Sequence, residues 1–260
     1  MSFTAWLPDA PWYVLVAIPF VIVAAYTVFG ATGFGSSIIA VPMLAHWFPL
    51  TFAVPLLTAL DCVSTANASL RQWRRADLRE IGRLLPTVLA GIALGTTLLV
   101  NLPRGPALLA LGVFVAAYGT YLLVGRRQWR AVGPYWAWPI GLFGGVFSVM
   151  FGTGGPIYMI YLSARIDDKT VLRATSSILV TISVFIRTGV FLGTGLLLKA
   201  PVLVAAALLL PLMFAGYFVG NRLHFTLSRS GVLKLIAGLL VINGVSLVAH
   251  AVALLSSHSR

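Results

Sequence analysis

The chain has 260 residues, 59% of them hydrophobic and only 9% charged. A soluble domain needs about 25% charged residues to solvate its surface, so lipid must be the solvent here. The formal charge of +12 sits in short loops between apolar runs, with no basic stripe interleaved with aromatics, which excludes nucleic acid as the partner.

From the N-terminus, residues 1–11 carry no Lys or Arg. A secretory signal needs a basic start and a small-residue cleavage site, so the first apolar run reads as a retained membrane helix. The predicted membrane segments are Trp12–Phe29, Ser36–Phe48, Thr51–Leu70, Ile81–Val100, Pro106–Val124, Tyr135–Phe151, Gly155–Leu162, Thr170–Leu192, Pro201–Gly220 and Gly231–Leu255. Ser36–Phe48 and Gly155–Leu162 are too short to cross about 30 Å of hydrocarbon as helices. Each follows a glycine-rich interruption, so each reads as part of a broken or re-entrant helix. Cys62 is the only cysteine, which excludes intrachain disulfides and cysteine-based metal sites.

The two interruptions resemble each other. Gly33-Phe34-Gly35-Ser36-Ser37-Ile38-Ile39 returns 119 residues later as Gly152-Thr153-Gly154-Gly155-Pro156-Ile157-Tyr158, and three long runs follow each. This predicts an all-α polytopic membrane protein of two homologous halves, residues 1–125 and 126–260. Each half holds a Gly-broken helix pair plus three transmembrane helices, about 8–10 membrane segments in all.

Charge sets the expected orientation. If each broken pair enters and leaves on one side, the halves are inverted. The basic loops around Arg71–Arg83, Arg126–Arg130, Arg165–Arg173 and Arg222–Lys234 then share a side. They hold fourteen Lys and Arg, against Arg104, Lys199 and Arg260 opposite, with Arg187 inside a segment. If each pair crosses once, the split falls to ten against seven. The positive-inside rule favours inverted halves with both termini outside the cytoplasm, an arrangement that recurs among secondary transporters.

Broken helices imply a site. Backbone freed at a break survives in a membrane only inside protein or beside a water-filled cavity. A helix restarting at Ser36 or Gly155 aims unpaired N–H groups and about half a positive charge at the break, which suits an anion. Gly33, Gly35, Gly152, Gly154 and Gly155 allow close approach of a ligand. Ser36, Ser37 and Thr153 add hydroxyl donors. The competing reading is close helix packing by small residues.

Two ionisable residues fall inside apolar runs. Asp61, near the middle of Thr51–Leu70, shares a helical face with Thr58 and Thr65, with Ser64 beside it. It reads either as the carrier of a coupling proton or as structural glue between helices. Arg187 shares a face with Ser176 and Ser183. It reads either as part of the anion site through its guanidinium fork or as a side chain snorkelling to the interface. Asn67 is a weaker candidate in the first half. The histidines, His46, His224, His250 and His258, sit at segment ends without ligand spacing. No P-loop, HExxH or GxSxG motif occurs, so nothing points to ATP-driven pumping, to enzyme chemistry or to a cofactor.

The duplicated motif Gly33-Phe34-Gly35-Ser36 and Gly152-Thr153-Gly154-Gly155-Pro156 resembles that of the sulfite exporter TauE/SafE family, also called the toluenesulfonate uptake permease family. Pro42, the loop Arg71-Gln72-Trp73-Arg74-Arg75-Ala76-Asp77 and the stretch Lys169-Thr170-Val171-Leu172-Arg173-Ala174-Thr175 extend the likeness. It implies a multi-pass cell-membrane transporter of sulfite, sulfonates or related small sulfur oxyanions, working as an exporter. The alternative is a membrane assembly or accessory protein that moves nothing.

Overall fold

A computed structural model describes residues 12–32, 35–69, 73–124, 132–223 and 229–258. Gly33, Arg71 and the linking loop Arg126–Arg130 lie outside the described residues, as does the side chain of Asn67. Ten α-helices run in order among the described residues: α1 Trp12–Thr32, α2 Ser36–Leu44, α3 Leu50–Ser69, α4 Leu78–Asn101, α5 Arg104–Val124, α6 Ala137–Phe151, α7 Gly154–Arg165, α8 Lys169–Gly193, α9 Ala200–Leu223 and α10 Arg229–His258. The protein is a multi-pass α-helical membrane protein. Five helices, α4, α5, α8, α9 and α10, are long and apolar enough to cross a bilayer by length and composition.

The short segments are short for local reasons. Gly35 adopts φ of 102° immediately before α2, and Gly152 adopts 69° at the end of α6. A left-handed residue cannot continue a right-handed helix, and glycine takes that conformation without steric cost. With 9 and 12 residues, α2 and α7 reach about 14 and 18 Å, half a bilayer each. Two long helices begin at aspartate caps. Asp77 accepts from Arg79 N and Glu80 N at 2.9 and 3.3 Å, and Asp168 from Thr170 N and Val171 N at 2.6 and 3.1 Å. The Val171 and Thr170 N–H groups hold the exposed Asp168 carboxyl below its ordinary pKa.

Glycine brings the long helices together. α4 packs on α6, where a Cβ at Gly91 would lie 2.2 Å from Leu142 O and one at Gly145 2.3 Å from Val88 O. α1 packs on α9 through Gly30, Gly216 and Gly220, and α5 on α10 through Gly112 and Gly244. Backbones this close gain dispersion contacts that lipid-facing side chains cannot supply. Exchanging the first five helices for the second five carries the α4–α6 contact onto α9–α1, and leaves α5–α10 and α3–α8 in place. Outward positions such as Phe20, Leu208 and Ile242 are apolar and exposed. Trp73, Tyr135, Trp136 and Trp138 are exposed near helix starts beside the basic loops, as interfacial aromatics are.

Two contacts relate the ends of the bundle. At one end, Arg165 at the foot of α7 reaches Glu80 on α4 at 3.0 Å, and Asp77 N donates to Thr175 Oγ1 on α8 at 2.9 Å. At the other, Arg104 at the start of α5 donates to Ala45 O after α2 at 3.3 Å, and His46 lies 3.0 Å from Ser246 Oγ on α10. Thus α2 and α7 run from mid-bundle to different ends, and their N-termini lie together in the middle.

Candidate anion site

The breaks before α2 and α7 open onto one cavity of about 30 Å³, walled also by α3 and α8. Gly35, Ser36 and Ser37 line it from the first break, and Gly152, Thr153, Gly154 and Gly155 from the second. Asp61 and Arg187 line it too, so the residues singled out in the sequence, Gly33 apart, meet in one place. The space has room for about one or two water molecules.

Arg187 is 1% exposed and does not snorkel. Its Nη2 donates to Asp61 Oδ2 at 3.3 Å and its Nη1 to the Ser148 carbonyl of α6. The snorkelling expectation rested on the distance of Arg187 from the end of its run. It fails because a buried carboxylate and the Ser148 carbonyl, which also accepts from Gly152 N at 3.0 Å, meet it on the inner face of α8.

Asp61 is similarly enclosed. Its Oδ1 accepts from Tyr26 OH and Ser36 Oγ, and its Oδ2 from Ser37 Oγ, each at 2.8 Å. Ser36 and Ser37, read from the sequence as hydroxyl donors at the first break, donate to Asp61 here. In this arrangement both hydroxyls are committed to the Asp61 carboxyl group.

The α7 side differs. Thr153 is 1% exposed, and its Oγ1 has no hydrogen-bond partner; nor does Nε of Arg187. A buried unpaired donor costs about 1–3 kcal/mol. Both residues line the one cavity at the N-terminus of α7, and neither donor is used within the protein. Gly152 is needed here for space as well as for its φ, because a Cβ would sit 2.6 Å from Ser37 Cβ and 3.4 Å from Arg187 Nη1. Gly154 serves packing too, since its Cβ would come within 2.9 Å of Gly144 O.

Some partners escaped sequence reasoning. Tyr26, which holds Asp61, looked like one more aromatic in an apolar run. Tyr158 lines the cavity and meets Ser183 Oγ at 3.3 Å; its place inside the second motif was the available signal. Glu80 is buried with Tyr161 OH at 2.7 Å, where the sequence suggested only a helix start beside a basic loop.

Comparison with protein families matches residues 18–247 to the family described as sulfite exporter TauE/SafE. The chain belongs to that family. It is 29% identical over 196 residues to a protein of Comamonas testosteroni named probable inner membrane transporter protein TsaS, covering 75% of this chain and 82% of that one. No solved structure matches. As a TauE/SafE protein the chain is a membrane transporter and not an enzyme, and the cavity belongs to a transport protein.

Proposed function

We propose that the protein is a secondary transporter that exports a small sulfur oxyanion, sulfite or a small sulfonate, held between the N-termini of α2 and α7. The observation that carries this reading is the pair of partnerless buried groups, Thr153 Oγ1 and Arg187 Nε, in the cavity the two breaks share. An oxyanion has several acceptor oxygens and would satisfy both, together with the free N–H groups at Gly154 and Gly155. Gly33 and Gly35 would let the α2 end approach the same ion. Export is the direction the family's description names.

Short helices that run from mid-bundle to opposite ends fit a site reached in turn from each side by movement of one half against the other. We take residues 1–125 and 126–260 as those halves. The reading is tested by flux of sulfite and of methanesulfonate in proteoliposomes. Saturable uptake of at least one, lost in Arg187→Ala protein that remains folded in detergent, is the expected result. Flux of neither anion overturns it.

A further inference from the structure

The cavity carries one fixed positive charge, and it is already matched. Arg187 faces Asp61 at 3.3 Å with both side chains buried. The groups around the carboxylate come from every neighbouring wall. α1 supplies Tyr26, α2 supplies Ser36 and Ser37, and α8 supplies Arg187. α6 contributes only the Ser148 carbonyl, on the guanidinium. α7 contributes Tyr158, which lines the same cavity. Among the described residues no second cation lines it.

An anion seated on Thr153 and the free Nε of Arg187 would leave the guanidinium between two negative groups. The closed cavity would then hold a net charge of minus one. The helix N-termini solvate that charge through their dipoles, but a dipole does not change the net charge that must cross the membrane. Protonating Asp61 does. The carboxylate gains one proton from the side on which the anion loads and becomes a neutral acid. Its O–H can donate to the anion, while its other oxygen still accepts from a hydroxyl. Release on the far side reverses both events, and Asp61 pairs with Arg187 again.

We propose, building on the transport reading above, that Asp61 takes up one proton for each monoanion carried, so that the protein moves the two together without net charge. Two consequences follow. Membrane voltage does not set the direction of flux. The anion's own gradient multiplied by the proton gradient does, so export runs only where the outward anion gradient exceeds the inward proton gradient.

The test is made on the intact protein in proteoliposomes with methanesulfonate, which stays ionised and brings no proton of its own. In wild type, one pH unit, acid outside, should drive about tenfold accumulation, and a potassium diffusion potential alone should drive none. Asp61→Asn cannot gain the proton. Its pH-driven accumulation should vanish, and its anion flux should follow voltage. If wild-type flux instead follows voltage and ignores the pH gradient, the proposal is overturned while the transport reading stands, and this arm needs no variant to fold. If only sulfite is carried, the voltage comparison is made at a pH acid enough for the monoanion, hydrogensulfite, to predominate, and is then read in the same way. Movement of neither anion removes the transport reading itself, and the coupling with it.

Discussion

Thr153 and Ser36 stand at matching ends of two short helices, yet the structure gives them different work. Ser36 Oγ donates to Asp61, whereas Thr153 Oγ1 has no partner. Thr153→Val keeps the shape and removes only the idle hydroxyl. If that hydroxyl meets the anion, affinity should fall about ten- to a hundredfold, the worth of a hydrogen bond to a charged group. Stability should hold or rise, because no protein bond is lost. Isothermal binding titration together with thermal unfolding in detergent separates these effects, and unchanged affinity would remove Thr153 from the site. Ser36→Ala should do the reverse in the empty protein, costing about 1.5–3 kcal/mol of stability through the lost bond to the Asp61 carboxylate. A melting temperature equal to wild type would contradict that account. Much at this scale was legible in advance. The glycines, Thr153, Asp61 and Arg187 stood out because charge and helix breaks are costly in lipid. That Asp61 and Arg187 satisfy each other was not, because they lie far apart in sequence on α3 and α8, and nothing local encodes their pairing.

α7 joins the cavity to a second polar cluster. Its N-terminus carries Thr153 and Gly154 at the cavity. Near its C-terminus, Tyr161 OH and Arg165 meet Glu80 of α4 at 2.7 and 3.0 Å, and Arg83 adds a contact within α4. Glu80 is 4% exposed, so its removal leaves the Tyr161 hydroxyl buried without an acceptor. Glu80→Ala should therefore destabilise the protein by about 2–3 kcal/mol. Tyr161→Phe removes one donor and leaves one Glu80 oxygen short of a partner while Arg165 and Arg83 still hold the other, so it should cost about 1.5 kcal/mol. Denaturation in detergent checks the order, and a Tyr161→Phe protein as stable as wild type would mean that Tyr161 contributes packing alone. The broken helices were readable at this scale because left-handed glycines stop helices wherever they occur. The burial of Glu80 was not readable. Three positions after the Asp77 cap it has the sequence of a solvated first turn, and only the foot of α7 lying across it excludes water.

For the whole molecule, the orientation in the membrane turns on which helix ends share a side. Fourteen of the basic residues fall in four loops that coincide on one side only if each broken pair returns to the side it left. Were each pair instead a single crossing, the loop at Asp77–Arg83 and the loop at Arg165–Arg173 would lie on opposite faces of the bilayer. The Glu80–Arg165 ion pair and the Asp77–Thr175 hydrogen bond join those loops at one end of the bundle. The helix pairs also interchange when the halves are swapped, with α4–α6 answering to α9–α1. We propose on these grounds that the halves are inverted repeats, with α2 and α7 re-entering from opposite faces and meeting at mid-depth. Reporter fusions after Arg75 and Arg222 should then give cytoplasmic signals, because basic loops are retained there, and a fusion at the C-terminus should report the outside. A cysteine placed at Leu198, exposed before α9 and far from the basic end, should be labelled from outside by a membrane-impermeant maleimide. A cytoplasmic C-terminus, with Leu198 labelled only after the membrane is opened, would reverse the orientation. A C-terminus on the same side as the loop at Arg75 would break the inversion itself. It would also leave the two half-helix N-termini entering from one face, with no second side to which the anion could be handed.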